Sequence, residues 1–276
     1  MSSIRALLGL GVTALLCSTR AGAQQRLLPA VKSFELPEAS PRAYGLVARV
    51  LSTRRGESRF GAEQEGEVVL GENFPLVALR RGPRPIVVGL GSQAYGRFSL
   101  EDSKSALISL DFVAQLNTTA LLGPWALTLQ LYHESSHLGD EYADRFAVGR
   151  LDWSREVLAG WASYSAGDWR FTGGSSYALY DGLGLPRPGA AFGIDFHGHG
   201  LGGRRRAVEP VIGFYTEATA ATNWRLSQSA KVGLTLARQA GPRLGVAFVA
   251  HDGLSTQRQF YRTESRYIGL ELRVDL

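Results

Sequence analysis

Apolar and polar residues alternate along most of the chain. Ile86, Val88, Leu90, Ala94, Phe98 and Leu100 share one parity; Gly89, Gly91, Gln93, Tyr95, Arg97 and Ser99 share the other. Ile108, Leu110, Phe112, Ala114 and Leu116 repeat the apolar parity against Ser109, Asp111, Gln115 and Asn117. Leu127, Leu129 and Leu131 alternate with Thr128, Gln130 and Tyr132, and Phe192, Ile194 and Phe196 with Gly193, Asp195 and His197. At the end, Ile268, Leu270, Leu272, Val274 and Leu276 stand against Gly269, Glu271, Arg273 and Asp275. Successive side chains leave a strand on opposite sides, so a period of two predicts strands with two differently solvated faces.

Further strands are predicted at 44–52, 60–70, 151–165, 169–180, 208–217, 230–238 and 244–252, with a weaker one at 76–81. Counting back from Leu276 gives ten strands to Ile86, and about twelve when the N-terminal candidates join. Strands of mixed polarity running to the last residue predict an all-β, up-and-down antiparallel transmembrane barrel. A secreted β-sandwich would explain the alternation, but less well the final strand. With an even number of strands both ends lie in the periplasm. The strand 125–137 then runs outward, and 138–149 becomes an extracellular loop.

The N-terminus changes the picture by adding export. Arg5, the apolar run from Ala6 to Leu16 and Ala21-Gly22-Ala23 form a cleavable signal over residues 1–23. Residues 24–43 hold Pro29, Pro37 and Pro41 and no clear period, and are expected to be a periplasmic lead-in to a barrel over 44–276. Removing the signal takes away Cys17, the single cysteine, so disulfides play no part. It also removes Arg5 and Arg20, leaving 28 basic against 25 acidic residues, or +3. So balanced a charge argues against nucleic acid. The expected partners are outer-membrane lipid, lipopolysaccharide and the barrel-assembly machinery, and the expected location is the bacterial outer membrane.

Candidate chemistry is concentrated in Tyr132-His133-Glu134-Ser135-Ser136-His137-Leu138-Gly139-Asp140-Glu141-Tyr142. His133-x-Ser135-Ser136-His137-Leu138-Gly139-Asp140-Glu141, with Ser154-x-Glu156 and Gln259-Phe260-Tyr261, resembles the bacterial domain-of-unknown-function family 1207 of exported outer-membrane barrels. That resemblance implies fold and location and brings no activity. His133-x-Ser135 is also locally similar to the dyad of outer-membrane phospholipase A and of the lipid A deacylase.

Three chemistries compete for this stretch. The first is a polar network at the outer rim, built from Glu134, Ser136, His137, Asp140, Glu141, Arg150, Ser154 and Glu156. Its barrel would be structural, bind a ligand or pass small solutes. The second is a lipid ester hydrolase. His133 and Ser135 lie two apart, on the parity of Leu127, Leu129 and Leu131, so both face lipid. An orienting acid is harder to place: Val157, Ala159 and Trp161 read as lipid-facing, which puts Asp152 and Glu156 on the opposite face unless a bulge shifts the register. The third is a zinc site, His133-Glu134-x-x-His137. It needs a helix, because on a strand the two histidines stand about 13 Å apart. No metal and no cofactor is therefore expected.

Overall fold

The computed structural model describes residues 24–29, 34–55, 64–81, 84–101, 105–198, 206–238 and 242–275. The expected signal segment lies outside them. Thirteen strands form one antiparallel sheet: β1 (Gln24–Leu27), β2 (Gly45–Arg55), β3 (Gln64–Arg81), β4 (Arg84–Ser99), β5 (Leu107–Leu122), β6 (Trp125–Leu138), β7 (Trp153–Ala166), β8 (Trp169–Asp181), β9 (Pro188–His197), β10 (Arg206–Thr219), β11 (Ser227–Arg238), β12 (Arg243–Leu254) and β13 (Glu264–Asp275). Strands β2 to β13 follow one another around a closed barrel of twelve, sealed where β13 pairs with β2. Closure leaves these strands without a free edge, so the backbone groups facing the bilayer are paired within the sheet.

The sequence parity becomes the two faces of this wall. Leu127, Leu129 and Leu131 of β6, Val246 and Phe248 of β12, and Ile268, Leu270 and Leu272 of β13 are exposed on the outside. Gln93, Tyr95, Arg97, Asp111, Gln115 and Asn117 are buried inside. The link Ala166-Gly167-Asp168 is a tight turn in which Gly167 adopts φ +59°, a conformation that costs glycine little. Near that end Trp125 packs on Tyr164 and Trp169 on Phe196, with ring centroids 4.8 and 5.0 Å apart. Short turns and an aromatic girdle are features that the periplasmic end of such barrels has.

Not every tryptophan joins a girdle. Trp153 and Trp161 point inward, where their indole N–H groups donate to Glu134 and Gln130. The parity assigned to 151–165 is thus corrected. Val157 and Ala159 are buried in the lumen, whereas Leu158 faces out. Small and aromatic apolar residues can face a lumen as well as lipid, so hydrophobicity alone misassigned this strand. The register breaks between Glu156 and Val157 in the pairing of β7 with β8.

Of the segment before the barrel, residues 34–44 lie in the lumen. β1 pairs with the lower half of β3, and the chain from Phe34 to Tyr44 then threads inward. It is stitched to the wall: Asn73 donates to the Phe34 carbonyl, Arg170 to that of Leu36, Arg49 to that of Pro41, and Tyr95 to that of Arg42. Its own Glu38 N–H donates to Asp195. Buried charges need partners, and the lumen supplies them: Arg97 lies against Glu65 and Glu67, and Arg49 against Glu67 and Glu271.

Candidate active site

β6 carries the site on two faces. On the lipid side stand His133, Ser135 and His137; on the lumen side stand Glu134 and Ser136, both buried. Trp125 sits in the girdle near the 166–168 turn, and His133 is eight residues farther along the strand. At about 3.3 Å per residue and a tilt near 40°, that is about 20 Å along the membrane normal. An apolar band about 25 Å tall then places His133 and Ser135 near the margin of the band opposite Trp125.

Across the β6–β7 ladder His133 lies opposite Glu156, and Ser135 opposite Ser154. The His133 Nδ1 is 3.1 Å from Glu156 Oε1. A carboxylate only accepts hydrogen bonds, so Nδ1 carries the proton and Nε2 is the basic nitrogen. The expectation that Glu156 would lie on the face opposite His133 is therefore wrong. Glu156 has the parity of Leu158, which faces lipid, and so does His133. Among the described residues Ser135 has no hydrogen bond to His133; the two share a face.

The lumen side of the same segment is an ion network. Glu134 Oε1 is 2.8 Å from Arg42 and 3.0 Å from Arg258 Nε, and its Oε2 accepts from Trp153 Nε1 at 3.0 Å. Asp111 accepts from Ser136 Oγ at 2.5 Å and from Arg42 Nη1 at 2.8 Å. Burial is the strongest single influence on Arg42 and Arg258 and works against their positive charge, yet Glu134 and Asp111 around both, with Glu217 near Arg258, together outweigh it and raise both above the ordinary arginine value. Arg42 comes from the N-terminal segment and Arg258 from the loop joining β12 to β13. The two ends of the lumen thus meet behind the site.

Above it the loops build a cap. Helix α1 (Asp140–Phe146) follows β6 directly. Its Tyr142 is fully buried and packs with Ile108, Leu138 and Phe260. Gln259 replaces a strand: its Nε2 donates to the carbonyls of Ser136 and Leu151, and its Oε1 accepts from the Leu151 N–H, all at 2.9 Å. Gly139 admits no side chain, because a Cβ there would lie 1.9 Å from the Leu107 carbonyl oxygen. The scattered pieces of the sequence motif meet here, with the Tyr261 ring tilted against Trp153 at 5.1 Å between centroids.

The predicted rim residues therefore divide among three places. Glu134 and Ser136 join the lumen network; His137 and Glu156 face lipid. Ser154, across from Ser135, is half-buried. Asp140 and Arg150 pair with each other at 2.6 Å on the exposed loop, and Glu141 is exposed nearby. Arg42, Arg258, Asp111, Trp153 and Gln259 were not among the predicted site residues. Arg258 adjoins the Gln259-Phe260-Tyr261 motif and Asp111 has inward parity, but no local feature marks Arg42. His133 and His137 lie four apart on one strand, so they do not form the helical pair a zinc hydrolase needs.

The chain belongs to the DUF1207 family of proteins of unknown function, whose model matches residues 13–275. No curated protein matches the sequence. Among solved structures it is similar to the outer membrane phospholipase of Salmonella typhi, a dimer with bound calcium. Identity is 16% and the TM-score 0.59, over 86% of this chain and 94% of that one. Outer membrane phospholipase A from Escherichia coli is similar at 15% identity and a TM-score of 0.57, over 83% and 92% of the two chains. At such identities the likeness shows the outer-membrane barrel fold.

Proposed function

We propose that this member of the DUF1207 family resides in the outer membrane and hydrolyses acyl esters of outer-leaflet lipid, with Ser135 as nucleophile, His133 as base and Glu156 as orienting acid. One observation carries the proposal: the 3.1 Å contact of His133 Nδ1 with Glu156 Oε1 on the lipid face, beside Ser135. A carboxylate at Nδ1 fixes the tautomer in which Nε2 can take a proton, and it stabilises the imidazolium that results. A structural rim has no need of a histidine–carboxylate pair facing the bilayer.

In the first step Ser135 Oγ bonds to the ester carbonyl carbon while its proton passes to His133 Nε2. The tetrahedral intermediate collapses, the C–O bond to the lipid alcohol breaks, and that alcohol leaves with the proton from His133. Water then attacks the acyl-serine, giving its proton to His133, and fatty acid departs as Ser135 recovers a proton. The lipid face suits this chemistry because the ester arrives by diffusion within the membrane.

Passage of solutes finds less support. The N-terminal segment and the β12–β13 loop fill the lumen, leaving cavities of about 150 and 70 Å³. A long-chain fluorophosphonate tests the proposal. Phosphonylation mapped to Ser135 in folded protein, and lost in Ser135→Ala, is the expected result. Equal labelling of the two proteins would exclude Ser135 as the nucleophile.

A further inference from the structure

Glu134 lies between His133 and Ser135 on the opposite face of the same strand, and three separate parts of the chain hold it. Arg42 reaches it from the N-terminal segment, Arg258 from the β12–β13 loop and Trp153 from the start of β7. We infer that Glu134, gripped by Arg42 and Arg258, is a positioning residue for the lipid-facing triad, so that two segments inside the barrel set the geometry of a reaction outside it. This inference rests on the hydrolase proposal.

The strand itself transmits the effect. Peptide planarity leaves few soft torsions between adjacent residues, so a shift of Glu134 moves the Cα atoms of both neighbours. Glu134 is 3% exposed and charged, which makes its place energetically specific: without its arginines the carboxylate would be buried and unpaired. β7 is secured from the same side. Arg155 lies next to Glu156 and opposite Glu134, and it pairs with Asp181 of β8 at 2.6 Å. Trp153 ties the start of β7 to Glu134. Both strands that carry the triad are thus anchored on their inner faces, within two or three residues of its members.

A purely structural ion network is the competing explanation, and the barrel contains its own control. Glu271 of β13 is equally buried, pairs with Arg49 at 2.7 Å and Lys231 at 2.8 Å, and sits far around the wall from β6. Glu134→Gln and Glu271→Gln each remove one paired, buried charge. Rates of fatty-acid release and of Ser135 phosphonylation are measured on protein shown to be folded by its heat-dependent gel mobility.

The expected result is a fall of about 10²-fold in kcat for Glu134→Gln, the scale of a 1 Å displacement of a reacting group, with KM unchanged. Phosphonylation slows in parallel, and Glu271→Gln keeps wild-type kcat. Should Glu134→Gln fail to fold, Arg42→Lys and Arg258→Lys replace it. Each keeps the charge but loses the planar fork, and each should lower kcat with KM unchanged. Wild-type kcat in these variants, or an equal loss in Glu271→Gln, would overturn the positioning role. If wild type neither releases fatty acid nor reacts at Ser135, the hydrolase proposal itself fails, a distinct outcome.

Discussion

His133 and Glu156 face each other across two strands on the outside of the barrel, Nδ1 to Oε1, at 3.1 Å. Both side chains are partly exposed, at 46% and 37%. They lie outside the packed lumenal network, so replacing Glu156 leaves the buried ion pairs of the barrel in place. The pair therefore matters for what it does to the imidazole. Glu156→Ala should lower kcat by about 10²–10⁴-fold, as removal of an orienting acid does elsewhere, while unfolding in denaturant barely changes. A large loss of stability with kcat intact would reverse that assignment.

Gln259 serves stability instead. Three hydrogen bonds from one amide join the end of β6 to the approach of β7. Gln259→Leu keeps the volume and strands buried backbone groups, so it should destabilise the protein by about 1–3 kcal/mol. Denaturant unfolding in detergent gives the value. No change in midpoint would mean that the cap contributes nothing.

The N-terminal segment should respond to acid. Glu38 lies 3.0 Å from Lys231 Nζ and 3.6 Å from Arg273. Burial by itself would raise the Glu38 pKa, but Lys231, Arg273 and His197 outweigh it and hold the carboxyl well below the usual carboxylate range. A depressed folded pKa contributes stability that is complete above the unfolded value, about 4.3, and is lost as pH falls toward the folded one. Glu38→Gln should therefore be less stable than wild type at pH 7, and the difference should shrink below about pH 4. A difference that stays constant down to pH 2 would show that its carboxylate is not the stabilising group.

Topology has its own test. Asp144 is exposed on α1, beyond the outer end of β6. A cysteine replacing Asp144 should react with an impermeant maleimide on intact cells. Reaction only after lysis would invert the barrel.

The barrel was legible because its wall repeats one rule, lipid outside and polar lumen inside, and that rule is written as a period of two. β6 follows it from Leu127 to Tyr132, so the faces of His133, Glu134, Ser135 and Ser136 could be read by extending that parity. β7 did not. Its Val157, Ala159 and Trp161 are apolar but line the lumen, where Trp161 meets Phe34 of the inserted segment. A strand packed against a lumenal plug has two apolar faces, and its parity cannot be taken from hydrophobicity. That one ambiguity concealed the contact of Glu156 with His133. The lumen network was illegible for another reason. Arg42 and Arg258 lie 92 and 124 residues from Glu134 in sequence, and nothing local pairs them with it.

Fatty-acid release by purified, folded protein is the most direct measurement of the central claim. Wild type, Ser135→Ala and Ser136→Ala are assayed on phospholipid and on lipopolysaccharide in detergent, with and without calcium. Wild type should release fatty acid from at least one substrate. Ser135→Ala should lose orders of magnitude in rate, as removal of a nucleophile does. Ser136→Ala, which loses only a lumenal bond to Asp111, should keep most of its activity. No release by wild type in any condition, or Ser135→Ala working at the wild-type rate, would contradict the account.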